Sequence, residues 1–341
     1  MPTIYDIAKA AGVSPATVSK VFNGYKDISK KTKDKVMAVV ADMEYVPNPT
    51  ARSLKTNKSY LVGVMFSEDL GIGLEHQYFS VVLESFREVI GSYGYDTVFI
   101  NNTLGKNKMG YLEHCKYRNV DGVFIITAQP DDIDVEKLLA SKIKCVTTDI
   151  RYKDTPLIAS DNEGGSVMAV KYLYSMGHRR IAHIAGPRDT RAGHERYVGY
   201  LEGLRKVGLQ YDELYFAEAS WYDFQETYNL TKNFMRKFSN KNRPTAIYVG
   251  ADIMAIGAMQ ALESIGMKVP GDVSVVGFDD IEMAQHTSPA LTTIYQNKEL
   301  IGKTVADTLN KLMNDEKVDS HLPRIPVSVV ERASVMKIDN D

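Results

Sequence analysis

The first 22 residues contain two short stretches of helical periodicity, separated by a break at Gly12-Val13-Ser14. Apolar residues recur at helical spacing on both sides of the break: Ile4, Ile7, Ala8 and Ala11 before it, and Val18, Val21 and Phe22 after it. Gly12 allows a turn, Ser14 can cap the second helix, and Pro15 suits its first position. Because the other face of the second helix is small, polar or basic, the segment predicts a helix-turn-helix. An ordinary helical hairpin with a solvated face is the alternative.

The charge of the chain is unevenly distributed. A third helix is predicted after a cap at Ser29, with Val36, Val39, Val40 and Met43 inward. Residues 1–60 hold ten Lys/Arg against five Asp/Glu, whereas the remainder holds 31 against 38. Because phosphate attracts Lys and Arg, this asymmetry indicates that the head of the chain, rather than its body, contacts nucleic acid.

Residues 46–60 are predicted to form a hinge. Asn48 can cap a short helix over residues 50–55, and helices of fewer than about 12 residues are marginal alone in water. We therefore expect this segment to order only against a partner. Leu54, an apolar residue on a basic linker, suits a wedge between base steps in the minor groove, and Arg52 suits phosphate. The alternative is a plain linker whose Leu54 packs on the next domain.

From Leu61 onwards the pattern alternates between strands and helices. The predicted strands are 61–66, 96–100, 122–127, 144–149, 180–185, 246–250 and 274–279, and the predicted helices are 78–93, about 132–141, 167–176, 197–207 and 253–265. This alternation predicts parallel sheets covered by helices on both faces. Since the strands are too many for one comfortable sheet, we expect two Rossmann-like α/β lobes with a break near residues 157–161. Neither GxGxxG after the first strand nor GxxxxGK[ST] occurs, so no nucleotide cofactor is expected.

Composition excludes several classes of protein. At 341 residues, 44% hydrophobic and 25% charged, the chain resembles a soluble globular protein without the ~18-residue apolar run of a membrane span. It shows no signal peptide, and its two cysteines are far apart, so a cytoplasmic location is expected. His178, His183 and the Asp279-Asp280 pair lack a nucleophile motif or metal-ligand spacing, which argues against an enzyme and a metal site. A solute-binding transport component is a further, disfavoured class.

Several motifs resemble the lac repressor/galactose repressor family of bacterial transcription regulators: IYDIAKAAGVSPATVSKVFNG and ARSL in the head, then RRIAHIAGP, RYVGYLEGL, and SVVGFDD followed by PALTTI. The resemblance implies a homodimer on a pseudo-palindromic operator, with paired hinge helices opening the minor groove. It also implies a periplasmic-binding-protein type I body with an effector cleft between its lobes. The expected domains are a helix-turn-helix head (1–45), a hinge (46–60) and an effector-binding and dimerisation body (61–341), whose N-lobe comprises about 61–160 and 292–320 and whose C-lobe comprises about 161–291 and 325–338.

The resemblance also implies roles for residues of the head. The predicted DNA-binding residues are Tyr5, Ser14, Pro15, Ala16, Thr17, Ser19, Lys20, Asn23, Ser29, Thr32, Asn48, Ala51, Arg52, Leu54 and Lys55. Leu54 matches the intercalating leucine of the family, and Thr17, Ser19 and Asn23 match its phosphate and base contacts. Lys20 stands where many relatives carry Arg. Because Lys lacks the planar fork of Arg, an operator cannot be inferred by analogy at that base pair.

Polar and aromatic residues of the body fall at predicted strand ends or on neighbouring loops. The candidate effector-binding residues are His76, Tyr78, Phe79, Thr127, Asp149, Asp161, Arg196, Trp221, Asp252 and Asp279. Aromatic faces suit the C–H side of a sugar ring, and carboxylates and Arg suit its hydroxyls. By resemblance, Asp149, Arg196, Trp221 and Asp279 match effector contacts in sugar-responsive relatives. Each alone could instead be a helix cap, a solvated residue or a core residue.

One residue departs from the family pattern. Ala251 stands where sugar-binding relatives often carry Asn, and Ala cannot hydrogen-bond a hydroxyl. Either Asp252 takes over this contact or the effector differs. The most favoured effector is a sugar or sugar derivative. The alternative is a catabolite-control-type regulator driven mainly by a partner protein, and a corepressor that promotes DNA binding is as compatible with the sequence as an inducer that releases DNA.

Overall fold

A computed structural model describes residues 2–22, 24–25, 27–45, 53, 58–66, 76–129, 131–220, 222–320 and 322–339. The chain divides into two compact units, Met1–Tyr60 and Leu61–Asp341. Among the described residues, every helix is too short or too polar to span a membrane.

Residues 2–45 of the head, as far as the structure describes them, form three helices with well-defined ends. Its helices are α1 (Ile4–Ala11), α2 (Pro15–Phe22) and α3 (Lys30–Asp42). Thr3 and Asp6 form a capping box at the start of α1, and Gly12 ends that helix with φ 62°, a left-handed conformation that favours glycine. The apolar stripes meet in one core, which consists of Ile7, Ala8, Ala11, Val18, Val21 and Val36. Of α2, Val18 and Val21 belong to this core, so the small, polar and basic residues on its other face lie outside it.

The first lobe of the body contains a parallel four-stranded sheet in the order β2-β1-β5-β6. Its strands are β1 (Leu61–Phe66), β2 (Asp96–Ile100), β5 (Gly122–Thr127) and β6 (Lys144–Thr147), and a small hairpin joins β3 (Thr103–Leu104) to β4 (Asn107–Lys108). Its helices are α4 (Gln77–Ser92), α5 (Tyr111–Arg118) and α6 (Ile133–Leu139). Every residue of β5 is buried, as expected for a central parallel strand.

The second lobe contains a six-stranded sheet in the order β12-β11-β10-β9-β7-β8. Its strands are β7 (Ile181–Ala185), β8 (Phe216–Glu218), β9 (Ala246–Val249), β10 (Ser274–Asp279), β11 (Thr292–Gln296) and β12 (Val327–Val330). Its helices are α7 (Asn162–Ser175), α8 (Arg191–Lys206), α9 (Phe224–Met235) and α10 (Asp252–Ser264), with single 3-10 turns at Glu213–Tyr215 and Glu282–Gln285. Among the described strands of this lobe, the edge strand β12 alone runs antiparallel to its neighbour. The predicted class, a helical head and an α/β body of two lobes, is confirmed.

The expected boundary between the lobes at residue 292 is wrong. Thr292–Gln296 forms β11, which pairs in parallel with β10 of the second sheet. Ile294 packs in the same hydrophobic core as Phe278 of β10. Burial of this side chain therefore favours the second sheet for β11. The chain crosses to the first lobe only afterwards, where α11 (Lys298–Met313) packs against α4.

Two helices begin earlier than predicted. α7 starts at Asn162 rather than residue 167, and α8 starts at Arg191 rather than residue 197. Their first turns are capped by Asp161 and Thr190, which accept hydrogen bonds from the backbone N–H groups of Gly164 and Gly193. Because these turns carry few apolar residues, periodicity alone does not reveal them.

Candidate functional site

A cavity of about 840 Å³, including the part open to solvent, lies between the two lobes of the body. Residues at or just after the carboxyl ends of strands line it from both sheets: Thr127 and Asp149 from the first lobe, and Pro187, Ala251, Asp279 and Gln296 from the second. Ligands of open α/β sheets bind at this end of the strands. The geometry therefore identifies the cavity as the candidate effector site.

Arg196 is held rigidly at the base of the cavity. It lies on α8, is 7% exposed, and its guanidinium carbon lies 3.9 Å from the centre of the Phe278 ring. Its Nε donates to Asn162 Oδ1 at 3.0 Å, its Nη1 to the Gly250 carbonyl at 2.5 Å, and its Nη2 to Asp279 Oδ1 at 3.3 Å. Because the fork is fixed from three sides, little side-chain entropy remains to be lost when a ligand binds.

Asp279 is the partner of Arg196 and ends β10. Its Oδ1 accepts both from Arg196 and from Gln296 Nε2, the latter at 2.6 Å, and no described residue donates to its Oδ2. Its backbone has φ 120°, which is strained for any residue other than glycine. Lys298 Nζ donates to the carbonyls of Asp279 and Asp280 at 2.7 and 2.8 Å and so supports this strained turn.

Arg191 connects the two lobes at the other wall of the cavity. From α8 of the second lobe, its Nε donates to the Asp149 carbonyl at 2.8 Å and its Nη2 to the Thr148 carbonyl at 2.9 Å. The Asp149 carboxylate accepts from Thr127 Oγ1 at 3.1 Å. Burial raises the pKa of Asp149, and the nearby Arg191 opposes that shift. A ligand that changes the separation of the lobes must act on these contacts.

Glu195 organises the polar groups behind Arg191. Its carboxylate accepts from Arg191 Nη1 and Arg324 Nη2, both at 2.6 Å, and from Asn162 Nδ2 at 3.0 Å. Although burial opposes it, the charge of Arg191 and these bonds hold the pKa of Glu195 below its ordinary value. Since the Asn162 amide also accepts from Arg196, its orientation is fixed at both ends. The network presents a preorganised polar wall to the cavity.

Aromatic rings form the apolar part of the cavity lining. Tyr78 and Phe79 meet edge to face, with 5.1 Å between ring centres, and His76 lies 5.4 Å from Phe79. Tyr222 lines the cavity from the second lobe, and a Cβ atom on Gly186 would lie 2.3 Å from its ring. Glycine at that strand end thus leaves room for the ring. Burial raises the pKa of Tyr78, so its phenol stays neutral at physiological pH.

Most of the predicted effector residues line this cavity, namely His76, Tyr78, Phe79, Thr127, Asp149, Arg196 and Asp279. Asp161 and Asp252 are outside it, contrary to expectation. Asp161 caps α7. Asp252 is 0% exposed and accepts from Thr293 Oγ1 and the Ile281 N–H, so it supports the turn after β10. Trp221 lies outside the described residues.

The prediction missed several polar or aromatic lining residues: Asn162, Thr190, Arg191, Tyr222 and Gln296. Gln296 is missed because no strand is predicted over 292–296, so no strand end marks this residue. Asn162 and Arg191 were missed because they open helices whose first turns had not been predicted. Ala251 does line the cavity, and the buried Asp252 does not replace the missing amide.

In the head, the described DNA-contacting candidates lie on all three helices: Tyr5 on α1, residues 14–20 at the cap and along α2, and Ser29 and Thr32 at the start of α3. Ser14 Oγ accepts from the Thr17 N–H at 3.0 Å and Ser29 Oγ from the Thr32 N–H at 3.2 Å, so two helices begin at serine caps. Tyr5 is 72% exposed, Ala16 is exposed, and Pro15, Thr17, Ser19 and Lys20 are half-buried. Lys20 Nζ lies 2.5 Å from Asp27 Oδ2 at the surface. Asn23, Asn48, Ala51, Arg52, Leu54 and Lys55 lie outside the described residues.

Comparison with known proteins identifies both units. Residues 3–48 match the lacI family of bacterial regulatory proteins, and residues 170–335 match a periplasmic-binding-protein-like domain. The chain is 33% identical to the HTH-type transcriptional repressor PurR of Pectobacterium carotovorum subsp. carotovorum strain PC1, over 98% of this chain and 97% of that protein. The PurR repressor of Edwardsiella ictaluri is 34% identical over the same shares. This chain belongs to the lacI family.

Solved structures agree with this assignment. The lac repressor dimer bound to operator and the anti-inducer ONPF has a TM-score of 0.80 and 30% identity, over 98% of this chain and 99% of that one. A complex of the regulator CelR with cellobiose has a TM-score of 0.73 and 27% identity, over 98% and 100%. The relatives are transcriptional repressors rather than enzymes. This lacI-family member is therefore a DNA-binding transcriptional regulator with an effector-binding body.

Proposed function

We propose that this lacI-family regulator represses transcription as a homodimer on a pseudo-palindromic operator, and that a carbohydrate in the cavity controls its affinity for DNA. The observation that carries the effector proposal is the buried pair of Arg196, on α8, and Asp279, at the end of β10, in a cavity lined by aromatic rings. The protein would act in the cytoplasm, where its operator lies.

The polar groups of the cavity suit hydroxyls. Asp149 and Asp279 supply carboxylate acceptors from opposite lobes, and Asn162 and Gln296 supply amides. A sugar hydroxyl both donates and accepts, so it can bond to a carboxylate and to an amide or guanidinium at once. The rings of Phe79 and Tyr222 suit the C–H faces of a pyranose. The complex of the similar regulator CelR with cellobiose also supports this class of ligand.

The connection between the lobes suggests how the ligand acts. Arg191 joins them through the Thr148 and Asp149 carbonyls, so a change in the separation of the lobes would alter these bonds. A ligand that contacts Asp149 on one lobe and Asp279 on the other favours one arrangement by its differential affinity. We propose that the lobe separation determines whether two hinge segments, residues 46–60 of each protomer, can form helices together on DNA.

The head would read DNA through α2 and its capped start. Ala16 and Lys20 would contact base edges in the major groove, while Thr17 and the first turn of α2 would contact phosphate. Leu54 would enter the minor groove between the half-sites. Selection of binding sites from a random duplex library with the full-length protein tests this arrangement. An enriched inverted repeat is expected, and an asymmetric single site would contradict a dimer on a pseudo-palindrome.

A thermal-shift screen tests the effector. The panel contains mono- and disaccharides, their phosphates, and purines, because a ligand of the native state raises the melting temperature. A sugar that raises it should also change operator affinity, and Asp279→Ala should remove both effects. A purine that acts instead would overturn the carbohydrate proposal. If the whole panel is inactive, control by a partner protein, as in the catabolite-control branch, becomes the better hypothesis.

A further inference from the structure

A second compartment adjoins the effector cavity. It encloses about 1110 Å³, including the part open to solvent, and lies between the loop after β6 and the loop that leads into α8. Asp149, Thr190 and Arg191 line both compartments. A ligand seated on Arg196 in the inner cavity and extended past Thr190 would therefore enter this outer compartment.

One wall of the outer compartment is apolar and partly aromatic. Val135 and Leu139 are buried in the wall, while Ile150 and Tyr152 are half-buried. Tyr152 packs on the core of the first lobe, and Lys153 Nζ lies 5.1 Å from the centre of its ring. An anchored ring beside an apolar surface suits stacking against the C–H face of a sugar.

The charges of the outer compartment disfavour an anionic ligand. Arg191 is bonded to Glu195 and to two carbonyls, and Arg188 donates through Nε to Glu218 Oε2 at 2.7 Å. The lining also carries the carboxylates Asp131, Asp132, Glu136 and Asp189. With Asp149 and Glu195 the lining holds six carboxylates against three arginines, Arg151, Arg188 and Arg191, and two of these arginines are already engaged by other acceptors. A phosphate or carboxylate here would therefore meet net negative charge. Neutral hydroxyls would instead find both donors and acceptors.

We propose that the outer compartment binds a second sugar ring, so that the effector is a neutral oligosaccharide of two or more units rather than a monosaccharide or a sugar phosphate. This inference rests on the proposed carbohydrate effector and specifies its size and charge. The inner cavity would hold one ring against Arg196 and Asp279. The outer compartment would hold the next ring between Tyr152 and the loop that carries Asp189.

Calorimetric titration of the full-length protein tests the proposal with matched probes. The probes are glucose with cellobiose, maltose and trehalose, galactose with lactose and melibiose, and the 6-phosphates of the two monosaccharides. For at least one pair we expect the disaccharide to bind tenfold or more tightly than its constituent monosaccharide. The corresponding phosphate should bind no more tightly than the monosaccharide.

Two variants locate the second ring. Asp189→Trp places a bulky side chain at an exposed position of the outer compartment and should abolish the advantage of the disaccharide while leaving monosaccharide affinity unchanged. Tyr152→Ala should reduce disaccharide affinity at least fivefold. Tyr174→Ala is its matched control, because Tyr174 is also half-buried beneath a cationic side chain, that of Arg179, but packs in the second lobe outside both compartments. It should leave both affinities unchanged.

The possible failures are distinguishable. If monosaccharides bind as tightly as disaccharides, or if Asp189→Trp leaves the disaccharide advantage intact, the outer compartment is not a sugar subsite, while the carbohydrate effector stands. Tighter binding of a sugar phosphate overturns the charge argument. If no sugar binds but another class of ligand does, the proposed function fails and this inference fails with it.

Discussion

Side chains of the head and of the body cavity are held in place differently. In the head, Tyr5 is 72% exposed and Lys20 forms an ion pair with Asp27 at the surface. In the cavity, Arg196 and Asp279 are 7% and 4% exposed and are bonded to each other and to further groups. Polar groups on a surface that binds DNA can be solvated by water until the DNA arrives. Polar groups in a buried site must be hydrogen-bonded within the protein before the ligand binds. A substitution in the head should therefore change DNA affinity without changing the free energy of unfolding. A substitution in the cavity should change both effector affinity and the free energy of unfolding.

The largest effect is expected from Arg196→Met. This change leaves Asp279 buried without its cation and removes the donors to Asn162 and the Gly250 carbonyl. Breaking a buried pair from one side costs about 3–5 kcal/mol of unfolding free energy, and effector binding should be lost as well. Urea denaturation and titration with the effector measure the two losses. Arg205→Met, on the same helix but in an exposed pair with Glu202, is the control and should change neither. Unchanged stability of Arg196→Met would show that the cavity is not preorganised by this pair.

Acidification from about pH 6.5 towards 4 should weaken the body more than the head, because all seven histidines follow residue 60. Burial lowers the pKa of His178 and of His183 from 6.5 to about 4 in each case. The unfolded chain therefore takes up protons first, and the free energy of unfolding falls as the pH is lowered from about 6.5 towards 4. Denaturation at a series of pH values should show this slope.

His178→Asn provides the matched test, since it removes one of these proton sites. His178 bonds to Thr245 Oγ1 and to the Met336 carbonyl, each at 3.1 Å, so the variant loses stability at neutral pH but should show a shallower decline below pH 6.5. An unchanged slope would exclude this histidine as a cause.

Lys20→Met should weaken operator binding about tenfold, because a good contact to guanine contributes roughly 1–3 kcal/mol. Its melting temperature should stay within experimental error, since Lys20 and Asp27 are both largely solvated. Fluorescence anisotropy with the selected operator measures the affinity. Lys171→Met, an exposed change on the body, should leave operator affinity unaltered. A clear loss of stability in Lys20→Met would show that this side chain of the head also contributes to folding, as those of the cavity do.

The smallest effect is expected from Lys298→Met, which removes the donor to the Asp279 and Asp280 carbonyls. Loss of these bonds should cost about 1 kcal/mol and reduce effector affinity several-fold, because the carboxylate of Asp279 is positioned by this turn. The same titration and denaturation experiments apply. Lys303→Met, on the exposed side of the same helix, is the control. Equal behaviour of the two variants would show that the strained turn is stable without Lys298.

The sequence predicts the framework better than it predicts the site. Buried strands such as 122–127 and 274–279 are recognisable because each is a short, largely apolar run that ends in a polar residue, Thr127 in one and Asp279 in the other. The roles of those polar residues are harder to predict, since a residue between a strand and a helix can face the cavity, as Asp279 does, or cap the helix, as Asp161 does. Which of these two roles a residue takes depends on the angle at which the helix leaves the strand. The periodicity of the sequence does not predict this angle.

Residues missed by the prediction share a long-range origin. Gln296 reaches Asp279 only because β11 joins the second sheet, and Arg191 reaches the first lobe only through the three-dimensional approach of α8 to the loop after β6. Both interactions span many residues of chain and both carry hydrogen bonds rather than apolar contacts. Hydrophobic patterning predicts cores and therefore leaves such polar connections unassigned.

The crossover after β11 also provides a covalent route from the cavity to the first lobe. Gln296 lines the cavity and ends a strand of the second lobe, Asn297 caps the next helix, and Lys298 begins that helix on the first lobe. A linker of one residue leaves little slack. We therefore expect a displacement of Gln296 to be transmitted to α11, and from α11 to α4, against which it packs. Occupancy of the cavity would in this way reach the first lobe through the covalent chain itself.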